Sequence, residues 1–244
     1  MRYLMTFSYD GSKYNGYQKQ KGLLTVQDVL EDKLKQLNSN KKVTLYSSGR
    51  TDKGVHAINQ KAHFDLDNEY EIDRLKYSLN KMLDGYIYIK DIIKVSSDFH
   101  ARYDVKIKEY IYKINIGEYN PIEKDYIYQY NKKLNLTNMK KAIKYLIGSH
   151  DFSSFTKDSK EYEDCIREIY SIKIIKNGDV ITLVFRGNGF LRYMVRNIVG
   201  TLIQVGNNTL NYKEVKEILE SKNRQKAGIT IDSCGLYLND VIYK

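Results

Sequence analysis

The stretch GRTDKGVHA, which begins at Gly49, places one carboxylate, Asp52, between two basic residues, Arg50 and Lys53. Nearby positive charge favours the ionised form of a carboxyl group. An ionised aspartate can act as a nucleophile or as a base. Gly49 and Gly54 allow tight turns or the close approach of a substrate. Two interpretations stay open from the residues alone: a catalytic loop, or a turn between two strands that the aspartate stabilises.

A second stretch, DFHARYDVKIKEYIYKI at residues 98 to 114, interleaves basic and aromatic side chains. Basic groups neutralise phosphates and aromatic rings stack on bases, so this composition is typical of a nucleic-acid contact. Tyr110 and Tyr112 are predicted to lie on the same face of a strand. Arg102 is a further candidate for contact with RNA. A half-buried edge strand explains the same pattern, and both interpretations stay open.

The third stretch, FRGNGFLRYMVRNIVGTLIQVG at residues 185 to 206, predicts a helix over 191–205. Its apolar residues recur at helical spacing and form one stripe. At about 100° per residue, Arg196 lies roughly 120° from the centre of that stripe, at the border of the core. Arg192 is predicted one turn earlier on the same flank. Arg196 is suited to holding a catalytic carboxylate or a phosphate, and a structural ion pair explains the same position.

The composition of the whole chain is basic, with 40 Lys and Arg against 30 Asp and Glu and a net charge of +10 over 244 residues. This balance favours a polyanionic partner such as nucleic acid, although a protein with a lysine-rich surface has the same balance. Only nine of the basic residues are arginine. Five of the nine lie in the motifs above: Arg50, Arg102, Arg186, Arg192 and Arg196. Because lysine cannot reproduce the planar donor fork of arginine, these positions are predicted to serve specific recognition, unless they cluster by chance.

Several classes of protein have no support in the sequence. Two cysteines, Cys165 and Cys234, match neither a disulfide framework nor a metal motif, which favours a reducing cytoplasm. The four histidines are far apart and no glycine-rich nucleotide motif occurs, so neither a metal nor a cofactor is predicted. Neither a signal peptide nor a membrane span is expected, because no sufficiently long apolar run occurs.

Hydrophobic periodicity predicts two similar halves on either side of Pro121, the single proline. The first half has predicted strands at 2–9, 43–47, 58–66 and 86–95 and helices at 26–37 and 73–83. The second half has predicted strands at 109–116, 166–176, 180–186 and 235–243 and helices at 138–147, 191–205 and 212–221. The order βαββαβ therefore occurs about twice, which is the ferredoxin-like plan. The predicted class is α+β: two ferredoxin-like halves, 1–105 and 106–244, with mainly antiparallel sheets, helices on one face and an active-site cleft on the other.

At these motifs the sequence resembles the TruA type of tRNA pseudouridine synthases, over nearly the whole chain. The segments that carry the resemblance are YDGSKYNGYQKQ, TVQDVLEDKL, GRTDKGVHA, FHARYDVKIKEYIY, HDFSSF, GNGFLRYMVRNIVGTL and GLYL. GRTDKGVHA, which looks like the catalytic loop of the family, is the most specific of them. The resemblance favours the catalytic interpretation of this loop over the turn.

The resemblance implies an isomerase that converts uridine to pseudouridine without a cofactor. It implies Asp52 as the catalytic aspartate and Arg196 as the arginine that pairs with it. It further implies that Tyr110 packs on the base, that Arg50 enters the stem when the uridine flips, and that Leu236 forms an apolar wall. Lys53, His56, Arg102 and Arg192 are the remaining candidates for contact with RNA.

The resemblance also implies a cytoplasmic homodimer that acts on tRNA, at uridines 38 to 40 of the anticodon stem-loop. The chain departs from the family pattern at Tyr17, usually Trp, at Lys53, usually a small residue, and in TIDSC before GLYL. These departures leave open a related synthase that acts on another structured RNA. A non-catalytic RNA-binding protein and a nucleoside hydrolase also stay open, although the lack of a second acid in these motifs disfavours hydrolysis.

Overall fold

The computed structural model describes residues 1–243, which form two compact units. The first comprises Met1–Lys106 and the segment that begins at Tyr237, and the second comprises Ile107–Leu236. The predicted domain boundary between residues 105 and 106 stays a prediction. The elements in chain order are β1 (Arg2–Tyr9), α1 (Val26–Leu37), β2 (Tyr46–Ser47), β3 (His56–Asp65), α2 (Ile72–Met82), β4 (Ile87–Lys94), β5 (Val105–Asn115), β6 (Tyr128–Gln129), α3 (Leu136–Ile143), β7 (Gly148–Asp151), β8 (Ile166–Asn177), β9 (Val180–Gly187), α4 (Met194–Gly206), α5 (Glu214–Glu220) and β10 (Leu236–Tyr243).

The sheet of the first unit has β1 at its centre, antiparallel to both β3 and β4. Two elements share the other edge of β3. The short β2 pairs antiparallel with it at His63, and β10 pairs parallel with it at His56. The order β4-β1-β3 with β2 outside is the ferredoxin-like order. In this protein β2 is short, and β10 occupies the part of the β3 edge that β2 leaves unpaired.

The core of the first unit is formed by the alternating apolar residues of β1 and the apolar stripes of its two helices. Tyr3, Met5 and Phe7 of β1 have no exposed surface. Helix α1 begins at an N-cap, since the hydroxyl of Thr25 accepts from the Asp28 backbone N–H at 3.3 Å and donates to the Asp28 carboxylate at 2.7 Å. The predicted start of this helix is confirmed.

The sheet of the second unit has the order β5-β9-β8-β7, with β6 beside β5. Strands β5, β9, β8 and β7 are antiparallel to their neighbours, and a tight turn at Asn177–Val180 joins β8 to β9 as the KNGD sequence predicts. Helix α4 is buried along most of its length, including Ile198, Val199 and Leu202. The predicted α+β class with largely antiparallel strands is confirmed.

Several predicted elements differ in their bounds from those observed, and β5, predicted at 109–116, begins at Val105. The strand predicted at 43–47 is reduced to Tyr46–Ser47. The helix predicted at 138–147 ends at Ile143, and hydrogen bonds between residues three apart continue the chain to Leu146. Helix α4 begins at Met194, because Tyr193 has a φ of +64° in the left-handed region. The predicted position of Arg192 on the flank of this helix is therefore wrong, since Arg192 precedes the helix.

None of the helices in residues 1–243 is both long enough and apolar enough to cross a membrane.

Candidate active site

The Asp52 loop is anchored on one side by the segment after β1. The hydroxyls of Tyr9 and Thr51 are 2.8 Å apart in a buried hydrogen bond, and the Thr51 carbonyl accepts from the Tyr17 N–H at 3.1 Å. Gly16 has a φ of +92°, and a Cβ on it would lie 3.0 Å from the Thr51 oxygen. Tyr17 and Gly16 therefore pack closely on the backbone next to Asp52, and a larger residue at position 16 would disturb this packing.

The other side of the loop is anchored by the buried amide of Gln60 on β3. Its oxygen accepts from the Ser48 hydroxyl at 2.6 Å, and its nitrogen donates to the Gly49 carbonyl at 3.0 Å. The Asp52 carbonyl accepts from the Val55 N–H at 3.1 Å, which closes a turn. Asp52 is half-buried in this frame. The frame orients a reactive carboxylate better than a free surface turn would.

Arg50 and Lys53, which flank the carboxylate in sequence, are both exposed. The two cations are thus available to a charged ligand that approaches the loop. This arrangement agrees with the contacts to RNA that are predicted for both residues.

His56, at the start of β3, is buried with 2% of its surface exposed. Its Nδ1 accepts from the Gly11 N–H at 3.1 Å, and its ring stacks on Tyr237 of β10 with centroids 4.7 Å apart. A Cβ on Gly11 would lie 2.0 Å from the Val55 carbonyl oxygen, so the chain before α1 packs tightly on the loop. This burial favours a supporting role for His56, and its contact with RNA stays a prediction.

An aromatic cluster surrounds Arg102 in the same unit. The His100 and Tyr103 rings lie 4.3 Å apart, and the Arg102 guanidinium lies 5.9 Å from the Tyr103 ring. Tyr103 is 75% exposed, and Arg102 is exposed as well. The cluster rests on buried His63, whose ring is 4.7 Å from that of His100. The interleaved basic and aromatic residues of the FHARY sequence therefore do form an exposed group that combines stacking rings with positive charge.

Tyr110 lies on β5 in the second unit, opposite Phe185 of β9. It is 9% exposed, and its ring meets the Phe190 ring edge to face at 5.2 Å. Tyr112 lies on the same face, as predicted, but it is fully buried and donates to the Asp232 carbonyl at 2.6 Å. Tyr110 is thus the less enclosed of the two tyrosines, and the Phe190 ring packs beside it.

Arg196 lies in the first turn of α4, half-buried as predicted. Its Nε donates to the Ile231 carbonyl at 2.7 Å, and its guanidinium lies 4.9 Å from the Tyr193 ring. Arg192 is exposed, and its N–H donates to the Tyr162 hydroxyl at 3.0 Å. Leu236, at the start of β10, is 6% exposed.

Within residues 1–243, no group of three or more His, Cys, Asp or Glu side chains is placed to hold a metal ion. Cys165 and Cys234 are free thiols. Burial raises the pKa of the Cys234 thiol to about 12, so this group is neutral at ordinary pH.

The candidate residues are divided between the two units. The first carries Arg50, Asp52, Lys53, His56 and Arg102, and the second carries Tyr110, Arg192, Arg196 and Leu236. The supports of the loop, Tyr9, Gln60 and the two glycines at 11 and 16, were not predicted from the sequence. Their signal in sequence is slight, since a glycine that allows close approach looks like any turn glycine.

A sequence profile of the family described as tRNA pseudouridine synthase matches residues 5–104 and 142–244. Relatives named tRNA pseudouridine synthase A from Streptococcus pyogenes serotypes M49 (strain NZ131), M1 and M18 (strain MGAS8232) are each 40% identical over 247 residues. The match covers 100% of this chain and 99% of each relative. The class of protein is therefore an isomerase. The chain belongs to the tRNA pseudouridine synthase family.

Proposed function

We propose that this chain converts uridine to pseudouridine in tRNA, with Asp52 as the catalytic group and with no cofactor. The observation that carries the assignment of Asp52 is the anchored loop. Hydrogen bonds of Thr51 and Gln60 fix the chain just before the half-buried carboxylate, and the bond from the Val55 N–H to the Asp52 carbonyl fixes the turn after it. Such rigid support is what a group that must meet one carbon atom of a sugar requires.

The reaction breaks the bond between N1 of uracil and C1′ of ribose and forms a bond between C5 and C1′. The C5 proton leaves to solvent and N1 gains a proton, so the substrate and product have the same composition and no co-reactant is consumed. Asp52 acts on the ribose, either by attack at C1′ or as a base that assists elimination of the uracil. Both routes need its ionised form.

Arg196 has the proposed role of holding the Asp52 carboxylate ionised and oriented. Its own position supports this role, because the hydrogen bond to Ile231 and the contact with Tyr193 restrict the guanidinium. A restricted arginine loses less entropy when it pairs with an anion.

Tyr110 and Leu236 are proposed to form the walls that face the uracil. The apolar contacts of Tyr110 and the burial of Leu236 support an environment that excludes water and retains the detached base. Tyr110 can also assist the transfer of the C5 proton.

Arg50 is proposed to enter the RNA stem in place of the flipped uridine, since a base inside a stem is reached only after it leaves the stack. Lys53, His56, Arg102 and Arg192 are the proposed further contacts with RNA. The exposure of Arg50, Lys53, Arg102 and Arg192 supports them in this role, whereas the burial of His56 makes it the weakest of the set.

The proposed target is uridines 38 to 40 of the anticodon stem-loop, and the proposed working form is a cytoplasmic homodimer. Family membership supports the target class. The departures at Tyr17, Lys53 and TIDSC favour a second candidate, a related synthase that acts on different positions or on another structured RNA.

A tritium-release assay with tRNA labelled at C5 of uridine tests the proposal. The wild-type protein should release tritium and leave an intact RNA chain, and Asp52→Asn should abolish release. Asp91→Asn, an exposed carboxylate on β4, serves as the control and should retain full activity.

Each contrary outcome of this assay contradicts a part of the proposal. Release that persists in Asp52→Asn would remove Asp52 from its role. Abasic sites would indicate a hydrolase, and binding of RNA without release would indicate a non-catalytic binder. Mapping of pseudouridine in the product decides between positions 38 to 40 and another target.

A further inference from the structure

A cavity of about 680 Å³ opens in the second unit, beside the start of α4. This volume lies within the range of ligand pockets, roughly 300–1,000 Å³. The residues that line it and can contact a polar ligand are Lys157, Tyr193, Arg196, Arg224, Gln225 and Thr230. Only Arg196 among them belongs to the proposed catalytic set.

The lining of this cavity is positively charged. It contains the cations of Lys157, Arg196 and Arg224 and no aspartate or glutamate. The Arg224 guanidinium donates to the carbonyls of Ala227 and Gly228 and to the side chains of Asn197 and Thr230, all of which are neutral. Its charge is therefore not offset by a carboxylate. Lys157 likewise makes no ion pair with any residue in the described part of the chain.

Three cations lie close to the ring of Tyr193. Lys157, Arg192 and Arg196 lie 5.6, 5.3 and 4.9 Å from the ring centroid. Cations at such distances are attracted to the ring face, while they repel each other. The left-handed φ of +64° at Tyr193 is strained for a residue with an aromatic side chain, and strain of this kind concentrates at functional sites.

The cavity wall is rigid. The Gly228 N–H donates to the Thr201 hydroxyl of α4 at 2.8 Å, and a Cβ on Gly200 would lie 2.0 Å from the Ile229 carbonyl oxygen. The loop after Arg224 is thus pressed against the helix. On the other side, the Arg192 carbonyl accepts from the Lys157 N–H at 3.3 Å. The Arg224 guanidinium is held in place before any ligand arrives, so little ordering is left for binding to impose on it.

We propose that this cavity binds a phosphodiester group of the RNA backbone, with Lys157 and Arg224 as phosphate-binding residues and Tyr193 as the residue that positions the cations. Arg224 and Lys157, neither of which pairs with a carboxylate in the described part of the chain, suit a phosphate, and the net charge of +10 favours a polyanion over a small anion. The start of α4 adds the partial positive charge of a helix N-terminus. This inference rests on the proposed function, because it takes the anion from the RNA substrate.

Binding of an unmodified tRNA transcript, measured over a series of salt concentrations, tests the site with two variants. Lys157→Gln removes the exposed cation. Tyr193→Asn replaces the aromatic ring by asparagine, a residue that tolerates the left-handed conformation. The control is Lys176→Gln, an exposed lysine at the end of β8 outside the cavity.

We expect Lys157→Gln to weaken binding by about three- to tenfold and to reduce the slope of log K against log salt by about 0.7–0.9, the effect of one lost phosphate contact. Tyr193→Asn should weaken binding as well, and Lys176→Gln should match the wild type. In the tritium assay Lys157→Gln should raise KM, and kcat at saturating RNA should stay within about twofold. Equal affinity and equal slope for Lys157→Gln and Lys176→Gln would overturn the site.

The two assays separate this inference from the proposed function. If the wild type binds RNA with the expected dependence on Lys157 but releases no tritium, the proposed function fails and the phosphate site stands. If tritium release is normal while Lys157→Gln binds RNA like the wild type, the phosphate site fails and the function stands. Inorganic phosphate alone is the further probe. If it raises the Tm of the wild type but not of Lys157→Gln, while both bind RNA equally, the anion is free phosphate and the RNA assignment is overturned.

Discussion

At the scale of single residues, the cations beside Asp52 differ in their proposed tasks although both are exposed. Arg50 is proposed to fill the stem that the uridine leaves, whereas Lys53 adds charge to the loop. Base flipping costs a few kcal/mol, so a residue that offsets this cost has a large effect on rate. The charge of Lys53 alone is expected to contribute less to the rate, and salt screens it.

The substitutions Arg50→Ala and Lys53→Ala separate these tasks. We expect kcat/KM for tritium release to fall by about 10- to 100-fold in Arg50→Ala and by less than about threefold in Lys53→Ala. Steady-state assays at one salt concentration measure both values. Equal and small losses would show that Arg50 is one cation among many.

Tyr17 poses a different question, because its hydroxyl is buried and has no hydrogen-bond partner in residues 1–243. Its ring packs against those of Phe7 and Tyr9, at centroid distances of 6.5 and 6.4 Å. The ring therefore stabilises the first unit, whereas the hydroxyl carries the cost of lost hydration.

Tyr17→Phe should leave the free energy of unfolding unchanged or raise it by up to about 1 kcal/mol, because it removes an unsatisfied polar group. Tyr112→Phe is the matched control. The Tyr112 hydroxyl donates to Asp232, so its loss should lower the free energy of unfolding by about 1 kcal/mol. Urea denaturation of both variants measures the difference, and a Tyr17→Phe protein less stable than the Tyr112→Phe protein would contradict this account.

At the scale of elements, His63 joins β3 to β2 and to the FHARY segment. Its Nδ1 accepts from the Ala101 N–H at 3.0 Å, and its ring stacks on Tyr46 at 4.9 Å. Burial, with smaller contributions from Arg2 and His100, lowers the pKa of His63 to about 4, while Asp65 and Asp104 oppose this shift. In the folded protein the imidazole of His63 is therefore neutral at ordinary pH.

This pKa predicts acid sensitivity. The unfolded chain binds the proton near the usual histidine pKa of about 6.5, so stability present above that pH is lost as the pH falls toward about 4. Between about pH 7 and about pH 5, this group should lower the free energy of unfolding by about 1–2 kcal/mol.

The variant His63→Asn, which keeps an acceptor for Ala101, should lose that part of the pH dependence. Urea denaturation of the wild type and of His63→Asn at the two pH values measures the change in the free energy of unfolding of each protein. In the difference between the two changes, the contributions of groups that do not interact with His63 cancel. An identical pH dependence in the variant would refute the assignment to His63.

At the scale of the whole molecule, the first unit depends on the end of the chain. Strand β10 pairs with β3 at Tyr237 and Leu238, and the Asn239 carbonyl accepts from the Asn59 side chain at 2.9 Å across 180 residues. The Tyr243 hydroxyl donates to the Ala101 carbonyl at 2.8 Å. Loop closure over such a separation must precede these contacts, so this strand is expected to join late in folding.

A chain that ends at Leu236 should therefore lose hydrogen-exchange protection in the first unit, at the β3 amides near His56 and Ala57. Loss of the Tyr237 stack on His56 should also loosen the Asp52 loop and lower activity. The β8–β9 hairpin serves as an internal control and should keep its protection. Unchanged exchange at His56 would show that the first unit holds this edge without β10.

The sequence by itself determined the class of fold, most helices and strands, and the motif that makes Asp52 the catalytic candidate. These features depend on local periodicity and on a motif whose residues are adjacent in the chain, so they can be recognised without the third dimension. The N-cap at Thr25 and the turn after β8 were likewise predicted from residues that are close together in the chain.

Only the tertiary structure decided the features that depend on contacts between distant residues. The left-handed turn at Tyr193 delays the start of the helix to Met194, although the apolar stripe predicts a helix from residue 191. The frame of Asp52 comes from Tyr9 and Gln60, and the cavity brings Lys157 and Arg224 to one place. No local pattern encodes these positions, because they result from packing that favours one arrangement of the whole chain over the preferences of its segments.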